Sequence, residues 1–398
     1  MQATLATPAA SEFLPLIPEL VLVGSAFALL MLDLFLNEKQ RVVTHVLAVA
    51  SLVLVAALLV AGVGGQGTVL GGMFIRDNMA DVLKIGICVV TAIALLYGWP
   101  FLRERNLYKG EIAVLMLFAV AGMMLLTSAG SLVMVYLGLE LLALCSYALV
   151  AIDRDSPLAS EAAMKYFVLG ALASGMLLYG MSLVYGASGS IDLATIAANA
   201  ADAEQRTMLL TGMAFMLAGI AFKFGAAPFH MWVPDVYQGA PTPITLFIGS
   251  APKLAAFAMA MRLLEVGMGP LAEHWRPLLA ILAALSLVIG NLVALVQANL
   301  KRMLAYSTVS HVGFLFMGLA GGGAIGYAAA MFYALSYAIM ATAAFGAIIL
   351  LSRRGFEADR IEDFKGLNAR DPWTAGLVLC VMASLAGVPP FLGFWSKL

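Results

Sequence analysis

Residues 223–235 read Lys-Phe-Gly-Ala-Ala-Pro-Phe-His-Met-Trp-Val-Pro-Asp, and residues 387–397 read Gly-Val-Pro-Pro-Phe-Leu-Gly-Phe-Trp-Ser-Lys. Each breaks a long apolar run in the same way: small residues, then Pro-Phe, then Trp, then a polar or charged element. Proline removes a backbone donor and clashes with the preceding turn. In lipid such a break is tolerated only where it is buried in protein or lines a wet cavity. Both stretches therefore predict interrupted helices around a path across a membrane.

The rest of the chain supports that solvent. Of its 398 residues 63% are apolar and 11% charged, against about 25% charged in a soluble domain. A span needs about 20 apolar residues. Twelve runs qualify, at residues 15–36, 42–63, 79–101, 111–129, 131–152, 160–187, 205–229, 242–265, 276–297, 301–321, 324–351 and 372–398. They are uniformly apolar rather than alternating, which excludes a barrel and gives an all-α polytopic membrane protein. The first run is read as a span, not a signal peptide: it lacks a basic leader and a cleavage site and stands behind Glu12 and Glu19. The last run stops eight residues after Pro390, too soon for a restarted helix to cross, so the natural chain is expected to continue.

Orientation follows from the basic residues. With the N-terminus outside, the inner loops hold Lys39, Arg41, Arg103, Arg105, Lys109, Arg154, Lys301, Arg302, Arg353, Arg354, Arg360, Lys365 and Arg370. The outer loops hold Arg76, Arg206, Arg262 and Arg276, a split of thirteen to four. The longest inner loop, 352–371, mixes both signs and reads either as a docking surface for a partner or as a solvated loop. The broken runs lie five spans apart, and an odd spacing gives the two copies opposite orientations, as in inverted-repeat transporters. The expected division is a three-helix segment over 1–110, a first five-helix repeat over 111–265 and a second, incomplete repeat over 276–398.

Ionisable residues deep in the spans are costly, roughly 2.5–3.5 kcal/mol each on insertion scales, and mark functional sites. Glu140 lies mid-span, with Tyr136 and Tyr147 on its helix face. Lys223 precedes the first break, and Lys253 follows Pro252 in the eighth run. Burial disfavours a charged ammonium, while a nearby carboxylate favours it. A Glu140–Lys223 pair would therefore keep the lysine's proton, and neutralising or withdrawing Glu140 would release it. Lys397, after the second break, is the matching group. Lys165 pairs with Glu161 one turn away or serves a relay. His311, with Ser307, Thr308 and Ser310, forms a polar patch suited to a relay or to helix packing. His230 is expected to cap the first break or gate water. Lys84 reads as a snorkelling lysine, and His45 and His274 as surface residues.

Other chemistry is excluded by pattern. Cys88, Cys145 and Cys380 stand far apart and read as small buried apolar residues, without zinc or iron–sulfur spacing. No nucleotide-binding glycine motif is present, and the net charge of −1 does not suit nucleic acid.

The stretch Phe229-His-Met-Trp-Val-Pro-Asp-Val-Tyr-Gln-Gly-Ala-Pro-Thr-Pro243 resembles the signature of the antiporter-like, proton-translocating subunits of respiratory complex I, in its N-type form. Lys301-Arg-Met-Leu-Ala-Tyr-Ser-Thr-Val-Ser-His-Val-Gly313 and the 387–397 stretch are similar to the same family. The resemblance covers the fourth span onward. It implies a fourteen-helix fold with two inverted five-helix repeats, each a half-channel. It also implies proton-carrying roles for Glu140, Lys223, Lys253 and Lys397. NADH, FMN, iron–sulfur clusters and quinone would then bind in other subunits of an assembly at a bacterial inner membrane, beside another antiporter-like subunit. An Mrp-type cation/proton antiporter subunit is the alternative.

Overall fold

The computed structural model describes residues 10–200 and 205–398. Residues 1–9 and 201–204, and the side chains of residues 10–12 and Lys39, lie outside the described residues. Lipid offers the backbone no hydrogen-bond partner, so the apolar runs satisfy themselves as helices. In chain order these are α1 (Ile17–Asp33), α2 (Val42–Val60), α3 (Asn78–Glu104), α4 (Gly110–Thr127), α5 (Leu132–Val150), α6 (Pro157–Ser188), α7 (Leu193–Ala200) and α8 (Arg206–Phe224). There follow α9 (Trp232–Gly239), α10 (Thr242–Ala260), α11 (Ala272–Ala294), α12 (Leu300–Gly321), α13 (Gly323–Leu351), α14 (Leu367–Arg370), α15 (Pro372–Ala386) and α16 (Leu392–Lys397). Among the described residues eleven helical stretches are long and apolar enough to span, with Pro372–Ala386 as a shorter apolar helix. The twelfth run is thus a broken one. A small antiparallel hairpin, β1 (Gly67–Val69) and β2 (Phe74–Arg76), was not expected from the sequence.

Helix ends follow side-chain chemistry. Asp77, Ser131, Ser156, Asn299 and Asp371 accept from backbone N–H groups of the first turns they precede, the usual role of such residues at N-caps. Both breaks begin at a glycine in the left-handed region, Gly225 (φ 77°) and Gly387 (φ 87°), where a residue with a Cβ would be strained.

Small residues bring helices into backbone contact. A Cβ on Gly122 of α4 would lie 2.7 Å from the Leu142 nitrogen of α5, and one on Gly290 of α11 would lie 2.6 Å from the Ser310 nitrogen of α12. At the centre stands α10, buried along its whole length and packed on α3, α4, α5, α8 and α13. Its C-terminal end continues as a π-helical turn, Met261–Gly267. A helix apolar all round is a core helix, and this one carries Lys253 on its buried surface.

Candidate proton-transfer site

The first break leaves carbonyls at the end of α8 short of backbone partners, Phe222 O keeping one bond from Gly225 N at 2.9 Å, and side chains from other elements add to them. Trp232 Nε1 donates to Phe222 O at 3.0 Å, and Lys253 Nζ donates to Phe224 O at 2.7 Å. Lys253 is 2% exposed and its ammonium sits 5.4 Å from the Trp232 ring centroid. Trp232 stacks on Tyr166 at 4.6 Å and 10°, and Tyr166 meets Tyr147 edge-on at 4.7 Å. Gly170 makes room for Tyr147: a Cβ there would fall 1.9 Å from its hydroxyl.

Lys223, in the last turn of α8, borders a cavity of about 20 Å³ with Tyr147, Tyr166, Ser174 and Trp232. That is room for about one water. Leu139, Ala143 and Tyr147, which flank Glu140 on α5, line the same cavity. Glu140 Oε1 is buried and makes no hydrogen bond. The structure thus brings the α5 residues beside Glu140 and Lys223 to one cavity, with no hydrogen bond to Glu140 Oε1.

The second break is built alike. Lys397 Nζ donates to Leu385 O at 2.8 Å and to Ala386 O at 3.2 Å, the free carbonyls at the end of α15, and lies 5.2 Å from the Phe314 ring. Between the breaks, buried His311 meets Tyr333 through Nδ1 at 2.7 Å, and Tyr337 donates to Thr308 Oγ1 at 2.7 Å. Ser310 instead accepts from Asn291 of α11 at 2.9 Å. Lys165 is on the surface: it bridges Glu161 and Asp235, both at 2.8 Å, and Arg302 takes the other Asp235 oxygen at 2.6 Å. His230 leaves Nδ1 buried without a partner and faces Tyr306 at 6.1 Å.

Several readings need correction. Lys84 does not snorkel: it is fully buried, 2.5 Å from Glu19 of α1 and 5.0 Å from the Phe74 ring. Glu19 accordingly lies inside the first span, not ahead of it. His45 is buried between Trp99 (4.6 Å) and Tyr108 (5.8 Å), whereas His274 is at the surface beside Arg206 and Glu273. Arg262 is no loop residue; at 3% exposure it pairs with Asp77 at 2.8 Å and donates to Thr127 O at 3.1 Å. Cys88 and Cys145 are buried, but Cys380 is exposed on α15. The loop 352–371 docks on its own chain: Glu357 accepts from Thr242 and from Lys301 at 3.1 Å, and Asp359 from Asn299 at 2.6 Å. Lys301 itself is buried and also donates to Ala240 O at 2.7 Å. Sequence reading placed it in a loop because its partner lies 56 residues away.

Broken helices whose free carbonyls are held by lysines, around a wholly buried central span, define a polytopic membrane protein of the transporter kind. Comparison with known proteins narrows the class. The family described as the transmembrane region of NADH:quinone oxidoreductase and Mrp antiporters matches residues 129–398. NADH-quinone oxidoreductase subunit N of Xanthomonas euvesicatoria is 69% identical over 395 residues, covering 99% of this chain and 81% of that protein. Respiratory complex I from Thermus thermophilus contains a chain that aligns with a TM-score of 0.80 at 34% identity, over 96% of this chain and 81% of that one. The Mrp complex from Dietzia aligns with a TM-score of 0.82 over 98% of this chain and 73% of that one, but at 24% identity, which is a likeness of fold alone. The chain belongs to the N subunits of NADH-quinone oxidoreductase. It is therefore a membrane-arm subunit of complex I, and the Mrp alternative is not favoured.

Proposed function

We propose that protons pass through this chain by a switch at Glu140 and Lys223, with Lys253 as the next station and Lys397 as its counterpart in a second half-channel. The observation that carries this reading is the order of charges at the first break. Two ammonium groups in a low-dielectric interior repel strongly, so Lys223 and Lys253 share one proton better than two. An ionised Glu140 favours the proton on Lys223. Once Glu140 is neutralised, the proton is better held at Lys253, where Phe224 O accepts its hydrogen bond and the Trp232 face supports the charge. His311, Tyr333 and the Thr308–Tyr337 pair lie on the way to Lys397. Lys165 is the weakest member of the set, since its exposed pairs with Glu161 and Asp235 serve equally as a surface brace.

In this reading residues 1–110 form a three-helix flank, 111–265 the first repeat and 276–398 part of the second, with the N-terminus on the outer side of a bacterial inner membrane. Residues 1–9 of that flank lie outside the described residues. NADH, FMN, iron–sulfur clusters and quinone are assigned to other subunits, whose redox energy drives the switch. Neighbours would include another antiporter-like subunit.

The test is the number of protons moved per NADH oxidised in proteoliposomes of the whole complex carrying Glu140→Gln. A lower ratio with NADH oxidation retained supports the switch, and an unchanged ratio overturns it.

A further inference from the structure

Around the arginine-lined C-terminal end of α3 lies a second polar site that shares no residue with either break. A cavity of about 240 Å³ is bordered by Glu38, Arg41, Trp99, Arg103, Asn106 and Tyr108. It meets a second hollow of about 470 Å³ that shares Trp99, Arg103 and Asn106 and adds Glu104 and Arg354. Two polar atoms at the first cavity are buried without a partner, Arg41 Nε and the Tyr108 hydroxyl. Buried polar groups are nearly always hydrogen-bonded, so this pair calls for an acceptor. Burial, and then the charge of Asp33, pushes the Tyr108 phenol above its ordinary range, so it remains a donor. Asp33 itself accepts from Thr44 at 2.7 Å. Three arginines face Glu38 and Glu104 across the two hollows, with Asp33 close enough to act on Tyr108. Arg103 lies over the Trp99 ring at 5.9 Å, and Trp99 packs on Tyr108 at 4.4 Å. Below the cavity, Val42 and Val46 stand one turn apart on α2 and are exposed.

We propose that this cavity binds the phosphate of an anionic phospholipid, with Arg41, Arg103 and Tyr108 as donors, Trp99 as the interfacial wall and the α2 valines under the acyl chains. Basic pockets between helices at a membrane surface suit anionic headgroups. A phosphodiester carries the acceptor oxygens that Arg41 Nε and the Tyr108 hydroxyl lack, and the bilayer supplies the ligand continuously.

The experiment reconstitutes the intact NADH:quinone oxidoreductase, containing this subunit full-length, in phosphatidylcholine bilayers with or without phosphatidylglycerol. Tightly retained lipid is then counted by native mass spectrometry. The expected result is one retained phosphatidylglycerol, weakened about tenfold, or by about 1.4 kcal/mol, in Arg41→Gln and in Tyr108→Phe. It should be unchanged in Arg206→Gln at the opposite end. Tyr108→Phe removes only a hydroxyl, so the test survives if Arg41→Gln fails to assemble. Equal retention in the pocket variants would overturn the proposal. So would equal retention of phosphatidylcholine, or displacement by millimolar inorganic phosphate, which would make it a free-anion site. A pocket filled by a neighbouring subunit, with no lipid retained in the assembly, would overturn it as well.

Discussion

Lys253 Nζ donates to the main-chain oxygen of Phe224 at 2.7 Å, so the charge at the middle of the central helix is tied to the point where α8 breaks. The free carbonyls of a helix C-terminus carry its partial negative charge, and an ammonium placed there is held without a counter-carboxylate. Lys397 repeats the relationship at Leu385 O and Ala386 O. At both breaks, then, a lysine ammonium caps the free end of a helix.

Lys253→Arg keeps a charge that cannot be given up at physiological pH. The assembled complex should retain NADH oxidation but lose most proton movement, read as dye quenching in inverted vesicles. Normal pumping in this variant would remove Lys253 from the pathway.

Glu140→Gln deletes the charge that acts on Lys223 while conserving shape. It should lower pumping strongly, whereas Glu140→Asp should preserve part of it. Equal loss in both variants would count against a carboxylate that works by its charge.

The buried Glu19–Lys84 pair should behave as a unit. Removing one partner of a buried ion pair costs about 3–5 kcal/mol, whereas replacing both by apolar residues is often neutral. Glu19→Gln should therefore lower the melting temperature of the detergent-solubilised protein, and Glu19→Leu with Lys84→Met should recover it. Additive losses in the double variant would contradict this.

Glu357 reports on the docked loop. Burial works to raise its carboxyl, but Lys301, the hydrogen bonds from Thr242 and Lys301, and Arg105 outweigh burial and hold it below the usual carboxylate range. A depressed folded value gives stability that is full above the ordinary carboxylate pKa of about 4.3. That stability is lost as pH falls through the lower, folded value. Thermal unfolding across acid pH should show this loss in the native chain and not in Glu357→Gln.

Gly290→Ala tests the close contact of α11 with α12. The new Cβ meets backbone atoms at 2.6–3.0 Å, which cannot step aside as a side chain can. Overpacking of about 1–3 kcal/mol should appear as a lower melting temperature. Gly175→Ala, with open space around it, should change little.

Much of this fold is legible before any coordinates are seen, because a span announces itself by length and a break by proline inside an apolar run. The charges nearest the breaks are legible for the same reason: Lys223 and Lys253 each stand inside a long apolar run. What the sequence hides are pairings across distance. Lys84 looks like a snorkelling lysine until Glu19 of another helix is placed beside it, and Arg262 looks like a loop residue until Asp77 arrives. Likewise, nothing local marks His45 as caged by Trp99 and Tyr108, or Glu357 as the anchor of loop 352–371. The hairpin Gly67–Val69 with Phe74–Arg76 is too short for any periodic signal to register.

The most direct test of the proton switch is the number of protons moved per NADH oxidised in proteoliposomes of the whole complex carrying Lys223→Ala. The account predicts a lower ratio with the complex fully assembled and still oxidising NADH. An unchanged ratio would contradict it, because Lys223 would then carry no proton that the enzyme pumps.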